Sequence, residues 1–229
     1  MPITWVANAN GGTNPSISTT ITIPTVAVDD IGILCVSMSA TAVDPVVTDN
    51  DSGGNTWTKI DAVTGAADNA SVWWKRMTSA SSSKVITITD GVGETADSMS
   101  ATLTVFRGVT TAATPYEALL KESNASGNET HASITTLSAG VMVVFCLGES
   151  DNNAISSQTA ANTPPGALTA GGSHSSTAGG DTAAGIFYSP METPGATGAV
   201  TWSQTDATCG TFLFGLIPQD AGGKFFALL

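Results

Sequence analysis

The spacing of apolar residues constrains this chain most. They alternate with polar ones in short runs, and long helical periodicity is almost absent. Ser18 to Ile23 reads Ser-Thr-Thr-Ile-Thr-Ile, the pattern of a half-buried strand. Trp57 to Ile60, Ser71 to Met77, Lys84 to Thr89, Gly185 to Tyr188 and Ala199 to Gln204 are further candidate strands. Four runs are more continuously apolar and are expected at the centre: Ile31 to Ser39, Ser98 to Phe106, Gly140 to Leu147 and Cys209 to Ile217. Spacers rich in Gly, Asn, Asp, Ser and Pro supply turn chemistry between them. The expected fold is all-β, an antiparallel β-sandwich of jelly-roll-like form with long loops.

Two segments read differently. Thr114-Pro115-Tyr116-Glu117 has the chemistry of a helix start: a cap, a proline at the first position and a capping-box acid. A strand-connecting turn accounts for the same residues equally well. Residues 149–181 are poor in large apolar groups and read as a long surface excursion, with a weak strand near 167–170. No internal repeat is visible. The sandwich is expected over residues 1–218 of the 229, followed by a tail over 219–229.

The charge balance narrows the function. There are 19 acidic and 7 basic residues, a formal net charge of -12, which argues against gripping a phosphate backbone or an anionic membrane surface. A 41% apolar share is enough for a sizeable core. The N-terminus shows no basic stretch followed by an apolar one, so no secretory signal is expected. Cys35, Cys146 and Cys209 each lie inside an apolar run and read as buried free thiols, in keeping with synthesis in a reducing cytoplasm.

Motifs for chemistry are few. Neither His131 nor His174 sits at zinc-ligand spacing, no Gly-x-Ser-x-Gly elbow occurs, and no glycine-rich stretch ends in Gly-Lys-Ser/Thr. No enzymatic activity is expected. Val47 to Trp57 is the sharpest local pattern. Asp49, Asp51 and Asn55 set hard oxygens among glycines, as calcium loops do. A hairpin loop with Asx side chains bonding to the backbone fits the same residues. Trp73 and Trp74 are adjacent and must face opposite ways on a strand. One is expected in the core. The other is expected outside, against a neighbouring subunit or a sugar.

Several of these runs together resemble β-sandwich proteins of tailed bacteriophages. The residues concerned are Ile31-Gly-Ile-Leu-Cys-Val, Val47-Thr-Asp-Asn-Asp-Ser-Gly-Gly-Asn-Thr-Trp57, Val72-Trp-Trp, Val85-Ile-Thr-Ile-Thr and Thr102-Leu-Thr-Val-Phe-Arg-Gly-Val109. Arg107 stands where that family usually has Ser before Gly-Val. The likeness covers about residues 15–218. It implies a non-enzymatic virion structural protein made in the host cytoplasm. Within that class, a capsid decoration protein binding the major capsid protein or other virion proteins, itself a homo-oligomer, is the leading expectation. A tail or head-fibre adhesin that binds host glycans is the alternative. The tail carries Phe225, Phe226, Leu228 and Leu229, and with Trp73 and Trp74 these are the expected interface residues.

Overall fold

The computed structural model describes residues 1–13, 18–39, 43–51, 56–64, 68–80, 83–91, 98–124, 129–152, 155–176, 181–203 and 208–220. Among them every regular element is a strand. The first eight are β1 (Thr4–Thr13), β2 (Ser18–Thr22), β3 (Ile31–Ser39), β4 (Val46–Asp49), β5 (Thr58–Thr64), β6 (Asp68–Arg76), β7 (Val85–Thr89) and β8 (Met99–Arg107). The next eight are β9 (Tyr116–Asn124), β10 (Thr130–His131), β11 (Val141–Glu149), β12 (Ser156–Ala160), β13 (Thr169–Ser176), β14 (Thr182–Met191), β15 (Val200–Ser203) and β16 (Cys209–Leu216).

These strands form four antiparallel sheets, ordered β1-β8-β3-β6-β5, β2-β7-β4, β13-β14-β11-β16-β9 and β10-β15-β12. The third, read from its other edge, is β9-β16-β11-β14-β13. Adding eight to every strand number in the first two sheets therefore reproduces the last two. The register repeats as well. Cys35 lies opposite Val72 and Thr102, and Cys146 lies opposite Ile186 and Phe212. Thr58 pairs with Trp74 as Thr169 pairs with Tyr188, and a bulge follows each pair, between Lys59 and Asp61 and between Ala170 and Gly172. The chain is thus one eight-strand pattern built twice.

The two five-stranded sheets pack face to face. β8 lies on β14 as β16 lies on β6, β1 lies on β13 as β9 lies on β5, and β3 lies on β11. Each of these contacts has its counterpart when the halves are exchanged, so an approximate two-fold axis passes between β3 and β11. The Cys35 thiol donates to the Leu147 carbonyl at 3.5 Å and the Ser37 hydroxyl to the Glu149 carbonyl at 2.9 Å. β3 and β11 therefore run in the same direction, and both begin at one end of the molecule. The three-stranded sheets cover the outer faces.

Layering explains the sequence pattern. β3, β11 and β16 are buried at every position and β8 at every position but Arg107, because each is covered on both faces. Such strands read as continuous apolar runs. β2, β7 and β15 alternate, because their outer face meets solvent. The core between the halves is graded along the strands. Ile31, Phe106, Met142, Phe214 and Leu216 fill one end, with edge-on contacts of Phe106 to Tyr188 and Tyr116 to Phe214. Ser37, Ser100, Thr182 and Thr211 occupy the other, all buried. There the sheets approach closely: a Cβ on Gly148 would stand 2.8 Å from that of Ala70, so only glycine fits.

The four central runs lie where the sequence places them. Other expectations are corrected. Thr114 and Pro115 lie in the connection between β8 and β9, as the turn reading has it, while the candidate helix gives way to β9, whose bulge holds Ala118 at a φ of 57°. Residues 149–181 are no mere excursion, since β12 and β13 lie within them and β13 pairs with β14 throughout its length. Both are hydroxyl-rich strands at the outside of their sheets, where little apolar surface is needed.

Candidate functional site

The densest group of charges surrounds the loop after β4. Along β6, Val72 and Trp74 face the other half, while Ser71, Trp73 and Lys75 face the outer sheet. This alternation aims Lys75 at β4, where its side chain is 0% exposed. Its ammonium donates to both oxygens of Asp49, at 2.9 and 2.7 Å, and lies 3.4 Å from Asp51. Asp49 also accepts from the indole N–H of Trp57 at 2.7 Å and from the backbone N–H of Asp51 at 2.9 Å. Asp51 accepts from Lys84 and, at 2.8 Å, from the Thr78 hydroxyl. Burial pushes the Asp51 carboxyl up. The bonds from Lys84 and Thr78 and the charge of Lys75 outweigh this and hold it well below the ordinary carboxylate range.

Asp49 and Asp51 are brought together as the calcium pattern expects, but two ammonium groups engage their oxygens. Asn55 lies outside the described residues. Among the described residues, no group of three His, Cys, Asp or Glu side chains is placed to hold a metal. The cluster pins the β4–β5 loop to β6 and to the start of β7, a structural task. A second ion pair, between the exposed Arg107 and the buried Asp30, does the same at the end of β8. Arg107 forks onto Asp30 with two bonds of 2.8 Å. Gly108 follows at a φ of 83°, where a Cβ would meet the Pro2 carbonyl at 2.6 Å. The Arg-Gly pair thus fixes the exit from the first half.

The imidazoles are built into the fold. His131 is buried, its ring edge-on to Phe145, with Nδ1 2.8 Å from the Ala132 carbonyl. His174 Nδ1 lies 3.2 Å from the Ser100 hydroxyl. Ser100 is fully buried and gives its proton to the Thr182 carbonyl at 2.9 Å, an arrangement closed to substrate. Burial lowers the pKa of both rings. Glu149 is the most perturbed acid. It is fully buried at the end of β11, neither carboxylate oxygen has a hydrogen bond, and burial, aided by the charge of Asp151, pushes its pKa up to about 8. The sequence offered no sign of this, since Glu149 closes an apolar run as a solvent-facing residue would.

Trp73 and Trp74 do face opposite ways, but neither stands outside. The outer sheet packs on Trp73 and the facing half packs on Trp74, leaving both half-buried. The free edge of Trp74 lines a cleft of about 300 Å³ with Arg76, Thr56, Thr58 and Thr111. This cleft lies beside the connector between the halves, and sequence reading missed it because Thr111 is 37 residues from Trp74 in the chain (111 − 74). Phe225, Phe226, Leu228 and Leu229 lie outside the described residues.

Three large apolar side chains stand out of the end where β3 and β11 begin. Val28, between β2 and β3, is 55% exposed, and Leu137, in the equivalent segment between β10 and β11, is 79% exposed. Met1, 56% exposed, donates from its terminal ammonium to the Gln219 carbonyl at 2.8 Å, which holds the N-terminus beside Gln219 at this end. No protein-family model matches the chain, and no curated protein is found similar to it.

Proposed function

We propose that this is a non-enzymatic virion structural protein, a capsid decoration protein that binds neighbouring capsid subunits. One observation carries the reading: Val28, Leu137 and Met1, the most exposed large apolar side chains among the described residues, gather at one end of the block, while Trp5, Val43 and Val46 are less exposed. Exposed apolar groups gathered at one end favour docking on a protein partner. The buried charges support the same reading, because Asp49, Asp51, Lys75 and Lys84 neutralise one another and Asp30 is taken by Arg107. The family resemblance supplies the virion context, with a capsid protein as partner and a homo-oligomer as the bound form. Gln219 lies at the same end, and the apolar tail that follows Asp220 in the sequence is the docking arm of this reading.

The test is rebinding to capsids stripped of the protein, followed by sedimentation. The intact chain should co-sediment. Val28→Asp with Leu137→Asp, or deletion of residues 224–229, should abolish co-sedimentation without unfolding the domain. Undiminished binding by both variants would refute this docking end.

A further inference from the structure

We propose that the cleft beside Trp74 is a saccharide-binding site that takes one uncharged pyranose unit. The site does not depend on the decoration reading, since it lies on a different element from Val28 and Leu137.

The cleft's volume of about 300 Å³ is the size class of a small-ligand site. One wall is the solvent-accessible part of the half-buried Trp74 indole, an aromatic surface against which the C–H side of a sugar ring can pack. Beside it lie the exposed side chains of Thr58, its cross-strand partner, and of Thr56 and Thr111, whose hydroxyls both donate and accept. A pyranose has this division, with axial C–H groups on one face and hydroxyls around the rim.

The cation in the cleft does not turn it into an anion site. Arg76 donates from Nη1 to the Asp29 carbonyl at 3.2 Å and from Nη2 to the Thr110 carbonyl. Its plane is therefore fixed, and the nearby Asp29 carboxylate offsets its charge. A net charge of -12 on the whole chain further disfavours phosphates and acidic polymers. What remains is recognition of neutral hydroxyls by a rigid guanidinium edge and three threonines. The equivalent place in the second half has Tyr188, Thr169 and Pro190 instead of Trp74, Thr58 and Arg76. The arrangement is thus particular to the first half and not a by-product of the repeated fold.

The test is saturation-transfer NMR on the full chain with glucose, galactose, N-acetylglucosamine and their methyl glycosides, together with intrinsic tryptophan fluorescence. At least one sugar should show transfer to its ring C–H protons and quench fluorescence, with a Kd of roughly millimolar strength. Thr58→Val with Thr111→Val should weaken that binding about tenfold, the loss of one or two hydrogen bonds, at unchanged Tm. Trp74→Phe, which keeps core packing, should weaken it too, and Trp73→Phe should not. No transfer to any of these sugars would overturn the proposal. So would transfer that the threonine pair and Trp74→Phe leave unchanged.

Discussion

Cys35 and Cys146 hold the same place in the two halves and meet at the axis between them. Each lies near the centre of the middle strand of its sheet, flanked by partners that correspond one to one. The Cys35 thiol bonds across to Leu147, and burial, with Cys35 beside it, pushes the Cys146 thiol well above its ordinary pKa. Thiols so placed are poor nucleophiles, because the reactive species is the thiolate. Cys209 is also buried. A thiol reagent should therefore find no fast-reacting group in the native protein and all three after denaturation. A thiol that reacts in the native protein at the rate of a small-molecule thiol would contradict this burial.

The Lys75 cluster should be costly to break. Lys75→Met removes the ammonium shared by Asp49 and Asp51 and leaves the buried Asp49 carboxylate without a cation, while Asp51 keeps Lys84, a loss of about 3–5 kcal/mol. Denaturant unfolding measures it. Because the folded-state pKa of Asp51 is lowered, its contribution is present above the ordinary Asp range and fades as pH falls below about 4. Asp51→Asn should remove that part of the acid sensitivity.

The same cluster bears on calcium. With Lys75 and Lys84 on the oxygens of Asp49 and Asp51, a divalent cation would have to displace two ammonium groups. We expect chelator to leave Tm unchanged. A drop in Tm on chelation, reversed by calcium, would restore the calcium reading.

Glu149 gives a pH dependence of opposite sign. Its ordinary value of 4.5 is raised to about 8, so between these pH values the unfolded chain releases a proton that the folded chain keeps. Folding loses about 1.4 kcal/mol per pH unit from this group over that window. Glu149→Gln should thus raise Tm at pH 8 relative to the parent and have little effect at pH 4. An equal shift at both values would mean that the carboxyl does not titrate this way.

The sequence revealed the parts of this fold that are covered on both sides. β3, β8, β11 and β16 announce themselves because double burial demands apolar residues at nearly every position. β9 and β12 did not, β9 because it mixes Leu119 and Leu120 with charged residues on a half-covered strand and β12 because it is Ser-Ser-Gln-Thr-Ala, while β13 showed only as the weak strand near 167–170. The duplication was hidden for a different reason. Register is conserved between the halves while side chains are not: Trp5 corresponds to Tyr116, Trp74 to Tyr188 and Asp49 to Ala160. At the candidate site the paired aspartates were legible. Their partners Lys75 and Lys84 lie 26 and 33 residues further on and meet them only through the sheet order.

The role proposed for this double sandwich is that of a structural part of a virion, docked by one end. Reconstruction of intact particles by electron cryo-microscopy tests it most directly. The account predicts density for both halves at regular positions on the capsid lattice, with Val28, Leu137 and the chain termini turned toward the capsid. Particles that lack the protein, or that carry it only at a fibre tip, would contradict it.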